Sequence, residues 1–116
     1  MTDSVDGLTE ALKQFAQERD WGQFHSPKNL ASALIVEAGE LLEHFQWLTE
    51  EQSRALSDER RAAVAAEVAD VLLYLLQLSS ALGIDPIAAA QAKLRINAQK
   101  YPVERARGTP RKYDQL

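Results

Sequence analysis

Residues 64–76 read VAAEVADVLLYLL, a strongly apolar segment that carries two acidic residues, Glu67 and Asp70. Its apolar residues recur at the spacing of an α-helix, which places Glu67 and Asp70 on one face, about one turn apart. Neither residue has a Lys or Arg within four positions, so neither can form a routine surface ion pair along the helix. The segment therefore predicts a helix whose packing surface includes two carboxylates.

A second apolar segment, residues 34–42, reads LIVEAGELL and repeats the pattern with Glu37 and Glu40. Removing a carboxylate from water is costly unless a positive charge compensates it. If the two segments pack as helices with axes about 8–10 Å apart, their four carboxylates converge. Because the ligand set is all oxygen, it favours a hard cation, Mg²⁺ or alternatively Mn²⁺, over zinc or copper. The sequence thus predicts a divalent metal site between two helices.

Two other interpretations of the acidic pairs compete with the magnesium site. Acidic residues three apart are common on solvated helix faces, but here apolar residues flank both pairs. A ferritin-like di-iron site requires Glu-x-x-His on each of two helices. His44 follows Glu40 by four positions instead, and no second histidine matches it. The magnesium site is the interpretation that fits the pattern better.

The composition places the chain in one class of protein and excludes others. Its 116 residues, 46% of them hydrophobic, predict a single domain over residues 1–116, with residues 103–116 as a C-terminal arm. The absence of cysteine excludes a disulfide framework and thiol chemistry. We expect a cytoplasmic protein without a membrane partner, because no signal segment or sufficiently long apolar run is recognised. The net charge of -4 argues against nucleic-acid binding.

No strand pattern is present, and helical spacing with capping residues predicts an all-α, four-helix-bundle fold. The expected helices cover 5–18, 27 to about 48, 58 to the residue before Gly83, and 86 to the residue before Tyr101. An aromatic loop is expected at 20–25 and a capping box at 49–52. The expected N-caps are Ser26, Ser57 and Asp85.

Both central helices are apolar on more than one face. The residues expected to point away from the packing surface are Ile35, Ala38, Leu42, Val68, Leu72, Leu73 and Leu76. Only two other helices are available to cover this surface, so we expect it to be buried against another copy of the chain. The pattern therefore predicts a homo-oligomer.

The C-terminal part of the chain is basic. From Gln91 onward the basic residues are Lys93, Arg95, Lys100, Arg105, Arg107, Arg111 and Lys112, against Glu104 and Asp114. An acidic metal site together with a basic segment suits a polyanionic, metal-bound ligand such as a nucleoside triphosphate. A solvated basic tail is the alternative, and the charges alone favour that alternative.

Short motifs along nearly the whole chain carry a family resemblance. They read FAQERDW at 15–21, QFH at 23–25, KNL at 28–30, EAGEL at 37–41, FQW at 45–47, EVADVL at 67–72, IN at 96–97, KYP at 100–102 and RKY at 111–113. On these motifs the chain resembles the MazG-like, all-α nucleoside triphosphate pyrophosphohydrolases. Among them it is most similar to the dCTP pyrophosphatases.

This resemblance implies an activity and a set of site residues. The implied reaction is Mg²⁺-dependent hydrolysis of a deoxynucleoside triphosphate, dCTP or a modified dCTP, to the monophosphate and pyrophosphate, which cleans the nucleotide pool. The implied assembly is a homotetramer. By similarity, the metal ligands are Glu37, Glu40, Glu67 and Asp70. Trp21, His25 and Trp47 would surround the base, and Tyr74, Lys93 and Asn97 the sugar and phosphates.

Physical reasoning adds roles for several of these residues. Glu37 or Glu40 would act as the general base that accepts the proton of the attacking water, and the sequence does not choose between them. The β- and γ-phosphates are expected to contact the basic groups Lys93, Arg111 and Lys112.

Three alternatives to dCTP hydrolysis remain at this stage. In two of them the reaction is the same, but the substrate is dUTP or a noncanonical purine triphosphate. A protein of another class, a helical oligomerisation module, would bind a nucleotide with its metal and not hydrolyse it. Retention of all four carboxylates counts against the binding module, because binding alone needs fewer charges buried together.

Overall fold

In the computed structural model, which describes residues 3–116, every regular element is helical. The all-α prediction is therefore confirmed for this part of the chain. The backbone forms two compact units, of which the first ends at Gly83 and the second spans Ile84–Leu116.

The first unit contains four α-helices and one short 3₁₀ turn. These are α1 (Val5–Glu18), the 3₁₀ turn Gly22–Phe24, α2 (Pro27–Glu43), α3 (Glu50–Ser53) and α4 (Asp58–Ala81). The second unit contains α5 (Pro86–Lys100), α6 (Val103–Ala106) and the 3₁₀ turn Tyr113–Gln115. Residues 103–116, predicted as a C-terminal arm, thus include one turn of α-helix and one 3₁₀ turn.

The predicted capping residues make the expected hydrogen bonds. Ser26 Oγ accepts from the Asn29 backbone N–H at 3.2 Å, and Ser57 Oγ accepts from that of Arg60 at 3.2 Å. Asp85 accepts from the two backbone N–H groups of Ile87 and Ala88, each at 3.1 Å. Such bonds satisfy donors that have no partner within the helix, which is why these helices begin where the sequence indicates.

Helix α2 ends at Glu43, so the prediction that it continues to about Leu48 is wrong. The chain tightens there, because the backbone N–H groups of Phe45 and Gln46 both donate to the Leu42 carbonyl, at 2.8 and 3.0 Å. The Arg60 side chain on α4 donates to the His44 carbonyl at 2.9 Å. This tertiary hydrogen bond satisfies a carbonyl at the helix end and fixes the turn, which local spacing could not reveal.

The core of the first unit forms where α4 packs against α2 and α1. Leu30 on α2 and Leu76 on α4 are its most buried side chains, with 2% and 3% of their surface exposed. The expectation that Leu76 points away from the packing surface is therefore wrong. Its position is covered because α1 lies beside the last turns of α4, where Leu12 and Ser80 line one pocket.

Several large apolar residues of α2 and α4 remain exposed on the side away from this core. They are Ile35, Val36, Leu42, Val68 and Leu72. Helix α4 is also long and apolar enough to span a membrane, by length and composition alone. The core helix of a water-soluble protein passes the same test, and α4 carries Glu67 and Asp70 in its interior, where a membrane would penalise them.

Candidate metal centre and nucleotide pocket

The packing of α2 against α4 brings acidic side chains from both helices together. Glu37 on α2 and the two residues Glu67 and Asp70 on α4 each offer one oxygen, and these oxygens lie within 4.8 Å of one another. Glu37 and Glu67 are partly buried. Glu40 lies one turn after Glu37 and its carboxyl group is within hydrogen-bonding reach of the Glu37 carboxyl. The convergence follows from the equal spacing of the two pairs on facing helices.

The cluster disfavours ionisation of its central member. The pKa of Glu37 is raised to about 7, chiefly by hydrogen bonding with the Glu40 carboxyl and then by desolvation. A hydrogen bond with Glu67 and the negative charges of Glu40 and Asp70 act in the same direction. A carboxyl group can donate such a hydrogen bond only while it holds a proton, and like charges this close favour that protonated form.

Two oxygens of the cluster have no protein partner. Glu37 Oε2 and Glu67 Oε2 are buried, and no hydrogen-bond donor reaches either of them. Buried polar atoms normally have a partner, so this pair indicates that something outside the chain supplies the positive charge. A divalent cation with a preference for oxygen ligands fits this donor set, whereas the absence of nitrogen and sulfur donors argues against zinc.

A pocket of about 220 Å³ adjoins the carboxylate cluster in the first unit. Asp70 forms part of its wall, together with three residues that the resemblance assigned to nucleotide binding, namely Trp21, His25 and Tyr74. The remaining lining residues are Leu12, Phe15, Ala16, Leu73 and Gln77. The pocket thus joins a carboxylate of the cluster to a largely apolar and aromatic chamber, which is the arrangement typical of a site for a flat organic group.

The aromatic wall is shaped by the connection between α1 and α2. Asp20 adopts a left-handed conformation, with φ of 53°, and turns the chain back on itself. The Trp21 backbone N–H then donates to the Ala16 carbonyl at 2.9 Å. As a result the Trp21 ring packs edge-on against Phe15 and His25, with centroid separations of 5.6 and 6.3 Å.

Comparison with known proteins agrees with these features. The family model described as the MazG-like family matches residues 33–116. The chain belongs to the MazG-like family. This MazG-like chain is 45% identical to dCTP pyrophosphatase 1 of Homo sapiens, over 97% of its own length and 68% of the human protein. It is 46% identical to dCTP pyrophosphatase 1 of Mus musculus, with the same two coverages.

Among solved structures, a pyrophosphatase from Archaeoglobus fulgidus DSM 4304 is similar to the MazG-like protein, with a TM-score of 0.80 and 40% sequence identity. The match covers 84% of this chain and 91% of the archaeal chain.

Not every predicted site residue of the MazG-like protein lies at this pocket. Trp47 follows the end of α2, is 86% exposed and is not among the lining residues. Lys93, Asn97, Arg111 and Lys112 all belong to the second unit. Their contact with a nucleotide stays a prediction.

The segment that carries Arg111 and Lys112 is held in place within the second unit. The Tyr113 ring packs edge-on against Tyr101 at 6.2 Å, and the Lys100 ammonium group lies 4.7 Å from the Tyr113 ring centre. These contacts hold Tyr113 against the end of α5, whereas Arg111 and Lys112, which precede the 3₁₀ turn, are themselves exposed.

Sequence reasoning missed five residues that line the pocket. They are Leu12, Phe15, Ala16, Leu73 and Gln77. For Gln77 a signal was present, because it follows Asp70 by seven positions and Tyr74 by three. This spacing places all three on one face of α4. The other four are apolar residues of the predicted helices, and pattern alone does not distinguish a pocket wall from a core.

Proposed function

We propose that this protein hydrolyses dCTP, or a modified dCTP, to the monophosphate and pyrophosphate, and so cleans the nucleotide pool of the cytoplasm. Its family and its pyrophosphatase relatives make it a nucleotide pyrophosphohydrolase. The cytosine preference is supported by the relatives named dCTP pyrophosphatase 1, which match almost the full chain. The observation that carries the proposal is the carboxylate cluster that opens into an aromatic pocket.

Mg²⁺ is the proposed cofactor, with Mn²⁺ as a possible substitute. Glu37, Glu67 and Asp70 would hold it, with Glu40 beside them. When bound, such an ion offsets the charge of the phosphates and lowers the pKa of a coordinated water. The two buried carboxylate oxygens that lack a protein donor are the structural support for this cofactor.

The chain itself supplies a proton acceptor and a binding surface for the base. Glu37 and Glu40 interact closely, and one of them would accept the proton of the attacking water as the general base. Trp21, His25 and Tyr74 offer a wall for the base beside Asp70. Basic residues of the second unit, Lys93, Arg111 and Lys112 among them, would neutralise the β- and γ-phosphates.

The functional form is proposed to be a homo-oligomer, with a tetramer as the expected state. Only Leu30 and Leu76 among the described apolar residues are buried, while Ile35 is 69% exposed. A helical unit with so little buried apolar surface is not expected to be stable by itself, and a second copy of the same face would cover it. Neither a nucleic acid nor a membrane is a proposed partner.

Pyrophosphate release from a panel of nucleoside triphosphates tests the activity. With Mg²⁺ present, we expect the wild type to convert dCTP faster than dUTP or purine triphosphates. Glu37→Gln and Asp70→Asn each remove a charge from the cluster, and we expect each to lower kcat at least about a hundredfold. Glu43→Gln is the matched control, because Glu43 is an exposed residue at the end of α2 and should not affect the rate.

The same panel separates the alternatives. A faster reaction with dUTP or a noncanonical purine triphosphate would change the substrate and keep the reaction. Release of orthophosphate alone would contradict the reaction class. Nucleotide binding without turnover would indicate the non-catalytic module, and full activity in both cluster variants would show that the proposed centre is wrong.

A further inference from the structure

Gln77 has a buried side-chain oxygen without a hydrogen-bond partner. In the described chain the other such oxygens belong to Glu37 and Glu67 of the metal cluster, so Gln77 is the only neutral residue with this property. Its side chain lines the aromatic pocket together with Asp70 and Tyr74. A buried acceptor without a donor is unfavourable, and because Gln77 belongs to the pocket wall, a ligand in the pocket is the nearest source of a donor.

The position of Gln77 along α4 suits a contact with the base of a nucleotide. It lies seven residues after the cluster residue Asp70, which corresponds to about 10 Å along the helix axis. This distance is comparable with the length of a nucleotide from its phosphate to the far edge of its base. A nucleotide whose phosphates lie at the cluster would therefore present its base edge close to Gln77.

Gln77 also lies at the partition between two neighbouring pockets of the first unit. A second pocket of about 150 Å³ shares Leu12, Ala16, His25 and Gln77 with the first. The two pockets are adjacent compartments of one cleft between α1 and α4. Gln77 thus lies where the two compartments meet, within reach of a group inserted into either of them.

We infer that Gln77 determines base specificity, by accepting a hydrogen bond at Oε1 from the exocyclic amino group of a 4-aminopyrimidine. This inference rests on the proposed function, because it takes the pocket as the base site. Cytosine has an amino donor at this edge, which matches the amide as it is oriented here, whereas uracil and thymine have a carbonyl oxygen that would require the amide to turn and present its NH₂ group. A polar group built to bond one edge rejects the analogue that lacks the donor, because it is then left unpaired.

Substituting Gln77 with Met tests the inference. Met has a similar length without a polar head, so the variant removes the hydrogen bond and keeps the volume. We expect kcat/KM for dCTP to fall about ten- to a hundredfold while that for dUTP changes little. The ratio of the two constants should collapse toward one. Gln77→Glu keeps an acceptor oxygen and should retain the preference for dCTP over dUTP.

Stability measurements distinguish this role from a structural one. Since the oxygen has no partner in the protein, Gln77→Met should unfold at the same or a higher Tm than the wild type. In the variant, the Tm increase that dCMP produces in the wild type should be reduced. Gln91→Met, at an exposed position of α5, is the matched control and should change neither the substrate ratio nor the Tm.

The outcomes separate this inference from the proposed function. If the wild type releases pyrophosphate and Gln77→Met keeps its preference for dCTP, the inference is wrong and the activity stands. An equal loss for dCTP and dUTP would also overturn it, since the amide would then serve either base edge. A lower Tm for Gln77→Met, with an unchanged substrate ratio, would assign the residue to the fold. If no nucleotide yields pyrophosphate in the wild type, both proposals fail.

Discussion

The α2–α4 pair has an inner side, where the two helices pack, and an outer side away from the core. Each side carries the kind of residue that a water-soluble helical protein would normally have on the other. On the inner side, Glu37, Glu67 and Asp70 bring their carboxylates together. On the outer side, large apolar residues such as Ile35 and Leu72 are exposed. The partly buried charges therefore lie between the packed helices, while several large apolar side chains lie where water has access.

This difference shows that each side lacks a different component. The inner side lacks positive charge, because two of its buried oxygens have no donor and the pKa of Glu37 is raised to about 7. The outer side lacks apolar cover. A cation and a second copy of the chain would supply these two components, so stability and activity are both expected to depend on partners.

The largest effect is expected from charges on the outer side. Val68→Asp combined with Leu72→Asp places two carboxylates on an apolar surface that we propose to be an interface, so we expect dissociation of the oligomer and a loss of cooperative unfolding. Light scattering after size exclusion and thermal unfolding measure both effects. Gln14→Asp with Gln17→Asp adds the same charge at exposed positions of α1 and is the control. An unchanged mass and Tm in the Val68 and Leu72 variant would contradict the interface.

An intermediate effect is expected from metal binding on the inner side. Mg²⁺ at about a hundred times its Kd should stabilise the protein by about 2.7 kcal/mol. The increase in Tm should be larger at about pH 8 than at about pH 5, because the carboxylates must lose their protons to bind the metal. Differential scanning calorimetry with Mg²⁺ or with EDTA measures this. An equal increase in Asp70→Asn would show that the ion binds elsewhere.

A smaller effect is expected from pH in the metal-free protein. The pKa of Glu37 is about 7 in the folded protein, against an ordinary value of 4.5. Between these two pH values, the folded protein therefore holds a proton that the unfolded chain has lost. Its contribution to stability is therefore present below about pH 4.5 and is lost as the pH rises through about 7. The Tm in EDTA should fall less over this window in Glu37→Gln than in the wild type. A parallel fall in both proteins would show that Glu37 is not responsible.

The sequence was informative where a structural feature depends on neighbouring residues alone. The bounds of α1, the N-caps at Ser26, Ser57 and Asp85, and the reciprocal hydrogen bonds between Thr49 and Gln52 agree with the prediction. Each is a contact within a few residues, so its energy is present in the local sequence.

The sequence also indicated which helices bear the proposed metal ligands. Equal spacing of two acidic pairs in two apolar segments is sufficient to predict that the carboxylates converge, provided that the segments pack on each other. The end of α2 could not be predicted from the sequence, because the hydrogen bond from Arg60 to the His44 carbonyl joins residues that are distant in sequence.

What the sequence determined by itself is thus the helical class, the helix starts and the acidic character of the inner surface, all of which follow from periodicity and local hydrogen bonds. Tertiary structure alone decided that Leu76 is buried, that Trp21 and His25 lie beside Asp70, and that the Gln77 oxygen has no donor. These depend on how α1 and its following turn lie against α4. Burial is a property of the surroundings of a side chain, and helical spacing describes only the helix that carries it.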